Sequence, residues 1–395
     1  MKVPLIIAGA GCCLVDQIYP DISFSHPRLR RYLSHKLGDG GLYPGRLVFA
    51  DHFESFAGQD LRSAMARIAG EGSRAILNVG GPSIVALIHA AQLLHGTSAE
   101  VRYYGIRGND REGDFLNTRL KQTPVKLESF TRLPGRTPTT LVLSDPSFHR
   151  GQGERAFIHD LGIAGNTDPA NLDQEFFGAD VLVFGGTALV PGLHRQLTSL
   201  LERGKTHECM TVVNTVYDFI NETANPGEKW PLGERDDAWQ YIDLLITDRE
   251  EALHLSGQPE LESAGAFFRD RGVSSFLVTC GTEPSMAFSD GRVFEGLAMQ
   301  FFPVSSDLVE DLERSRKGDT TGCGDNFVGG VLSSLAWQKL KGCRRPKLTE
   351  CLAWGTVSGG FCCYHLGGTY LEQEPGEKHG RISPYYQKYI RQIHA

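Results

Sequence analysis

Short apolar runs separated by amphipathic stretches constrain this chain more than any other feature. Residues 101–106 (VRYYGI), 180–184 (DVLVF), 211–214 (TVVN), 242–246 (IDLLI) and 275–279 (SFLVT) have the length of strands, and several are apolar without alternation. Such strands are covered on both faces, as in a parallel sheet. Between them, residues 193–203 and 260–271 carry the spacing of helices with one apolar side. Alternation of this kind predicts an α/β fold, a mostly parallel central sheet wound on both faces by helices. The first strand is expected over residues 3–8, in MKVPLIIAGAGCC. The same residues superficially match a signal segment ending in a lipidated cysteine, but the apolar core from Pro4 to Ala8 is shorter than such segments require.

Two regions depart from this rhythm. Residues 131–160 read as a hairpin, TPTTLVLSD and RAFIHD around a glycine-rich turn near RGQGE, and residues 20–75 are irregular and glycine-rich. Both are expected to form a small β lid with an insertion. The large domain then comprises residues 1–19, 76–130 and 161–395. With 395 residues and 41% hydrophobic content, the chain can bury a core of that size. Its net charge of −7, with no basic block, gives no nucleic-acid footprint, and no apolar run is long enough to span a bilayer. Nine cysteines without a C-x-x-C fit neither a zinc site nor a disulfide framework, and point to reduced, cytoplasmic thiols.

The stretch RSRKGDTTGCGDNFVGGVL, residues 314–332, carries the chemistry. After Gly324, residues Phe327, Val328, Val331, Leu332, Leu335 and Ala336 mark one face of a helix, so Gly322, Cys323 and Gly324 stand at its N-terminus. The first N–H groups of a helix lack internal partners and lie at the positive end of its dipole. Small residues let an anion reach them, which makes a phosphate or oxyanion cradle with no need of a P-loop lysine. Asp325 falls in the first turn, where it is either a general base beside that cradle or an acid favoured by the dipole alone. Cys323 reads either as a nucleophile activated by the helix terminus or as a small residue fitted between two glycines, and no nearby histidine favours the first.

DTTGCGDNFVGGVLSSLA resembles the C-terminal signature of the ribokinase-like (PfkB-type) carbohydrate kinases, Asp-Thr-x-Gly-Ala-Gly-Asp followed by a helix, with Cys323 where alanine is usual. The resemblance extends over most of the chain and implies an ATP-dependent kinase that phosphorylates a sugar hydroxyl. Asp325 would be its base, and the backbone from Gly322 through Cys323 and Gly324 to Asp325 its anion hole. IIAGAGCCLVD resembles the family's opening strand and the aspartate that meets substrate hydroxyls, which makes Asp16 a substrate residue; the rival reading of Gly9-Ala10-Gly11 is a dinucleotide fingerprint. Gly80 and Gly81 resemble the paired glycines of the substrate site, or are a left-handed turn before a helix; the family's following asparagine is absent, with Ile84 and Val85 in its place. Gly105, Gly108, Asp110 and Gly113 follow the family's G-x-x-G-x-D-x-x-G, and His159 is a lid residue that either meets substrate or is structural.

The same resemblance implies Thr279, Gly281 and Thr356 around the nucleotide. Asp248 and Glu251 stand where the family's Asn-x-x-Glu organises Mg2+ through water, and the pair is equally a helix capping box. Asp319 and Thr321 would be ligands of a monovalent cation such as K+. A nucleoside acceptor of the adenosine type, a kinase fold without catalysis and a homodimer formed through the lid are the remaining alternatives that this reading leaves open.

Overall fold

The computed structural model describes residues 4–36, 38–148, 154–315 and 318–394. Fourteen strands lie among these residues. Nine of them form the main sheet: β1 (Leu5–Gly11), β5 (Ala99–Arg107), β6 (Phe130–Arg132), β9 (Val181–Gly185), β10 (Met210–Asn214), β11 (Leu244–Asp248), β12 (Ser275–Cys280), β13 (Glu283–Ser289) and β14 (Leu297–Phe302). Their order is β14-β13-β12-β11-β10-β9-β1-β5-β6, parallel except for the antiparallel edge β12-β13-β14. Every residue of β9 and β10 is buried, as their unbroken apolar sequence requires of central strands.

The expected strands therefore form, the five later ones within two residues of their anticipated ends, while the first runs Leu5–Gly11 and ends three residues beyond the expected Ala8. Helix 260–271 is Leu261–Asp270. Helix 193–203 is corrected: Pro191–His194 and Leu197–Thr206 are separate helices, and Gln196 between them takes a non-helical φ of −124°. The apolar spacing runs through that break because both pieces pack on the same core.

A second sheet has the order β3 (Leu47–Phe49), β8 (Glu154–Asp160), β7 (Thr139–Asp145), β2 (Leu14–Tyr19) and β4 (Ile76–Gly80). Strands β7 and β8 are the expected hairpin, although residues 149–153 of its turn lie outside the described residues. The sheet also takes in β2 and β4, from segments expected in the large domain. Helices Ala50–Ala57 and Leu61–Ala69 cover it and close a small core of its own around Phe53, Leu143 and Ile158.

The two sheets meet where β1 runs into β2. Gly11 is held against the carbonyl of Gly185, which an added Cβ would reach at 1.9 Å, and Gly9 lies under Leu87. These glycines serve strand and helix packing, and the chain continues into a strand rather than a helix, so the dinucleotide reading falls. The sheet order reverses beside β1, with β5 on one side and β9 on the other, so the carboxyl ends of these strands frame the crevice where open α/β sheets bind ligands. No helix among the described residues is long and apolar enough to cross a membrane.

Candidate active site

The helix Cys323–Leu340 begins where the glycine spacing placed it. Gly322 is its N-cap with φ 76°, a left-handed conformation, and an added Cβ would stand 2.4 Å from Gly368 Cα. Glycine is therefore required there twice over, by conformation and by space. At Gly324 a Cβ would meet no protein atom. Its smallness serves open space, which is what an anion approaching the helix terminus needs. Asn326 fastens the turn by donating to the carbonyls of Gly322 and Gly368, both at 2.8 Å, and its Oδ1 pairs with His89 Nδ1 at 2.6 Å.

Asp325 lies in the first turn of this helix, and no group among the described residues hydrogen-bonds its carboxylate. Burial pushes its pKa from the usual carboxylate range up to about 7. Asp16, on β2, is buried at 6% exposure and pushed up to about 8, first by burial and then by the charges of Asp325 and Asp319, against the opposing pull of Arg155. Thus Asp16 feels the charge of Asp325, 309 positions away in the chain, across the junction of the two sheets. Gly80 lies directly beneath Asp16: a Cβ there would sit 2.2 Å from Asp16 Oδ2. Gly81 has φ 104° and caps the helix Pro82–Leu93 beside the carbonyl of Cys12, so it makes the turn before that helix, whereas Gly80 ends strand β4 without a positive φ.

The terminus of the Cys323–Leu340 helix opens into a cavity of about 280 Å³. Thr279, Gly281 and Thr356 line it together with Thr320, Cys323 and Gly324, which joins the residues expected around a nucleotide to the anion cradle. Leu308 and Phe327 supply apolar wall. Asp16, Gly80 and Gly81 are outside this cavity, on the lid side.

The lid reaches the cradle through Arg155 of β8. Its guanidinium donates to Thr320 Oγ1 at 2.6 Å and to Thr321 Oγ1, and lies over the ring of Phe157. Sequence reasoning missed this residue. The signal was present in ERAFIHD, because strand alternation puts Arg155, Phe157 and His159 on one face. His159 pairs with Thr140 through Nδ1 at 2.8 Å, and burial holds it down at about 4, so it stays neutral; its Nε2 has no partner among the described residues.

Asp248 and Glu251 form the capping box of helix Arg249–Ser256, with Glu251 N donating to Asp248 Oδ1 at 2.8 Å. Glu251 is buried, accepts from Thr215 and Thr247, and is pushed well up by burial and then by the Asp248 charge. The capping reading is realised, and Asp248 remains an exposed residue at the helix start, a position that suits a hydrated divalent cation. At Asp319, Oδ1 accepts from Thr321 N at 2.8 Å while the buried Oδ2 has no partner among the described residues, which fits a cation held nearby. Among those residues no three His, Cys, Asp or Glu side chains cluster as a direct metal centre.

Among the described residues no histidine hydrogen-bonds Cys323. Its sulfur is 3.3 Å from that of Cys363, and hydrogen bonding with Cys362, together with burial, pushes its thiol up. An activated nucleophile needs the reverse shift, so that reading is not supported.

The profile of the pfkB family carbohydrate kinases matches residues 69–374 of this chain. A fructokinase of Vibrio alginolyticus is 24% identical, the match spanning 73% of this chain and 86% of that protein. Among solved structures, the adenosine kinase of Sinorhizobium meliloti superposes with a TM-score of 0.69 at 19% identity, covering 97% of this chain and 100% of the other. A ribokinase of Thermotoga maritima gives 0.63 at 14% identity, with 97% and 99% covered. At these identities the structural likeness concerns the ribokinase-like fold.

Proposed function

Since this chain belongs to the pfkB family of carbohydrate kinases, a family of phosphotransferases with alcohol acceptors, we propose that it moves the γ-phosphoryl group of ATP to a hydroxyl of a sugar, with Asp325 as the base. The observation that carries this reading is Asp325 itself. Among the described residues no group hydrogen-bonds its carboxylate, which stands in the first turn of a helix whose terminus opens into the cavity lined by Thr279, Gly281 and Thr356.

A base works best when its pKa lies near the working pH, and burial brings Asp325 to about 7. It would take the acceptor's proton as the oxygen–phosphorus bond forms. The backbone N–H groups of Cys323 to Asp325 would receive the growing negative charge of the transferring group. Asp16, at about 8, is protonated at neutral pH and can donate to a substrate oxygen. Asp248, positioned by the Glu251 cap, would hold Mg2+ through water; when bound, the ion supplies charge neutralisation between the β- and γ-phosphates. Asp319 would serve a monovalent cation. The lid sheet, tied down by Arg155, would exclude water, the competing acceptor.

The test is ATP consumption over a panel of ketoses, aldoses, sugar phosphates and nucleosides, with Asp325→Asn as the blank. Turnover with a sugar that the blank lacks supports the reading. Turnover with nucleosides alone moves the acceptor to the adenosine class, and no turnover with any acceptor by a protein that binds ATP refutes it.

A further inference from the structure

The nine cysteines are free thiols, and two of them meet in the nucleotide cavity. Cys323 is the first residue of the catalytic helix. Cys363 is the C-cap of the neighbouring helix Leu348–Cys362, 40 positions away in the chain, and the sulfurs are 3.3 Å apart. Both are part-exposed and both line the cavity, so a small solute entering it reaches them. Cys362, next in the chain, hydrogen-bonds Cys323 as well and donates to the carbonyl of Thr321 at 3.1 Å. The helices that carry the pair are pressed together by glycine: at Gly330 a Cβ would lie 2.4 Å from the carbonyl of Trp354.

We propose that Cys323 and Cys363 form a modification site, a dithiol that hydrogen peroxide oxidises to a disulfide across the mouth of the anion cradle. The Cys323 thiolate attacks one peroxide oxygen, the O–O bond breaks and hydroxide leaves, giving a sulfenic acid. The Cys363 sulfur then attacks the Cys323 sulfur, the S–O bond breaks, and the departing hydroxide takes the Cys363 proton as water. Two thiols lose two electrons and two protons, and one peroxide becomes two waters.

A disulfide needs sulfurs about 2 Å apart, so the 3.3 Å gap must close by moving the start of the catalytic helix or its neighbour by about 1 Å. Misplacement of that size in a catalytic constellation costs up to ~10²-fold in rate. The consequence for activity rests on the kinase reading; the existence of the modification does not.

The full chain, in a Cys343→Ser background that removes the exposed thiol, is treated with hydrogen peroxide and digested. Intact mass, peptide mapping, ATP binding by calorimetry and ATP turnover are measured before and after, each protein being compared with its own reduced form. A peptide joining residue 323 to residue 363, absent from Cys363→Ala and present in Cys362→Ala, is expected. Turnover should fall by at least ~10-fold and return with dithiothreitol. Absence of that link, or its transfer to Cys362, overturns the site. A link that forms while ATP binding and turnover stay unchanged overturns its effect on the cradle. If no acceptor supports turnover even in the reduced protein, the kinase reading has failed, and the linked peptide and ATP binding still decide the modification.

Discussion

Replacing Asp325 by asparagine separates what the carboxylate does for catalysis from what it costs the fold. The side chain keeps its shape, loses its charge and can no longer accept a proton. General-base assistance is typically worth 10²–10⁴-fold, so kcat should fall by at least ~10²-fold while ATP binding remains. The structure adds a second, opposite effect. Moving Asp325 from an ordinary 3.8 to about 7 is a shift of about 3 units, and at 1.36 kcal/mol per unit the ionised form stands up to about 4 kcal/mol above its solvated state. Part of the residue faces solvent, and asparagine forfeits up to ~1 kcal/mol with the helix dipole, which leaves about 1–3 kcal/mol of net stabilisation.

The sign follows from linkage. A carboxyl with a raised pKa binds its proton more tightly in the folded chain, so the wild type loses stability as pH climbs from about 4 through about 7. The asparagine variant should match the wild type at pH 4, apart from the dipole, and exceed it at pH 8. Urea unfolding at the two pH values, beside steady-state ATP consumption, reads both effects. A variant that turns over within tenfold of wild type removes Asp325 as the base, and one that is less stable than wild type at pH 8 refutes the burial argument.

Three further outcomes follow. With the acceptor saturating, kcat should rise with pH through about 7 as Asp325 loses its proton; a profile flat from pH 5.5 to 8.5 would point to another base. Arg155→Ala should lower kcat/KM by about tenfold or more through loss of the ties to Thr320 and Thr321, and Arg155→Lys should restore little because it cannot fork between two hydroxyls, as paired kinetics would reveal. Gly80→Ala drives a Cβ to within 2.2 Å of Asp16 Oδ2, so it should raise KM for the acceptor far more than for ATP; equal effects on both would detach Asp16 from the acceptor.

Much of the main sheet was legible because it is coded locally. Runs such as DVLVF and TVVN are apolar on both faces, and that composition is tolerable only between two helical layers. The anion cradle was legible for the same reason: a glycine in a left-handed cap, a small first turn and an apolar helical face all lie within twenty consecutive residues. The lid was harder to read. LVDQIY and ILNVG become strands of the second sheet only by pairing with each other and with the hairpin, and such register is set by partners distant in the chain. The break at Gln196 was hidden because helical spacing reports a shared face, which two short helices can present as well as one.

What the sequence determined on its own was thus the class of fold, the helix that begins at Cys323, and Asp325 as the residue beside its terminus. These depend on near neighbours, whose spacing dictates which backbone groups are exposed and which side chains share a face. The tertiary structure decided the rest. It set Asp325 close enough to Asp16 to raise the cost of ionising Asp16, brought Arg155 from the lid onto Thr320 and Thr321, and laid the sulfur of Cys363 against that of Cys323. Charge, hydrogen bonding and thiol chemistry act over a few ångströms of space, and chain spacing carries no measure of that distance until the sheets have closed.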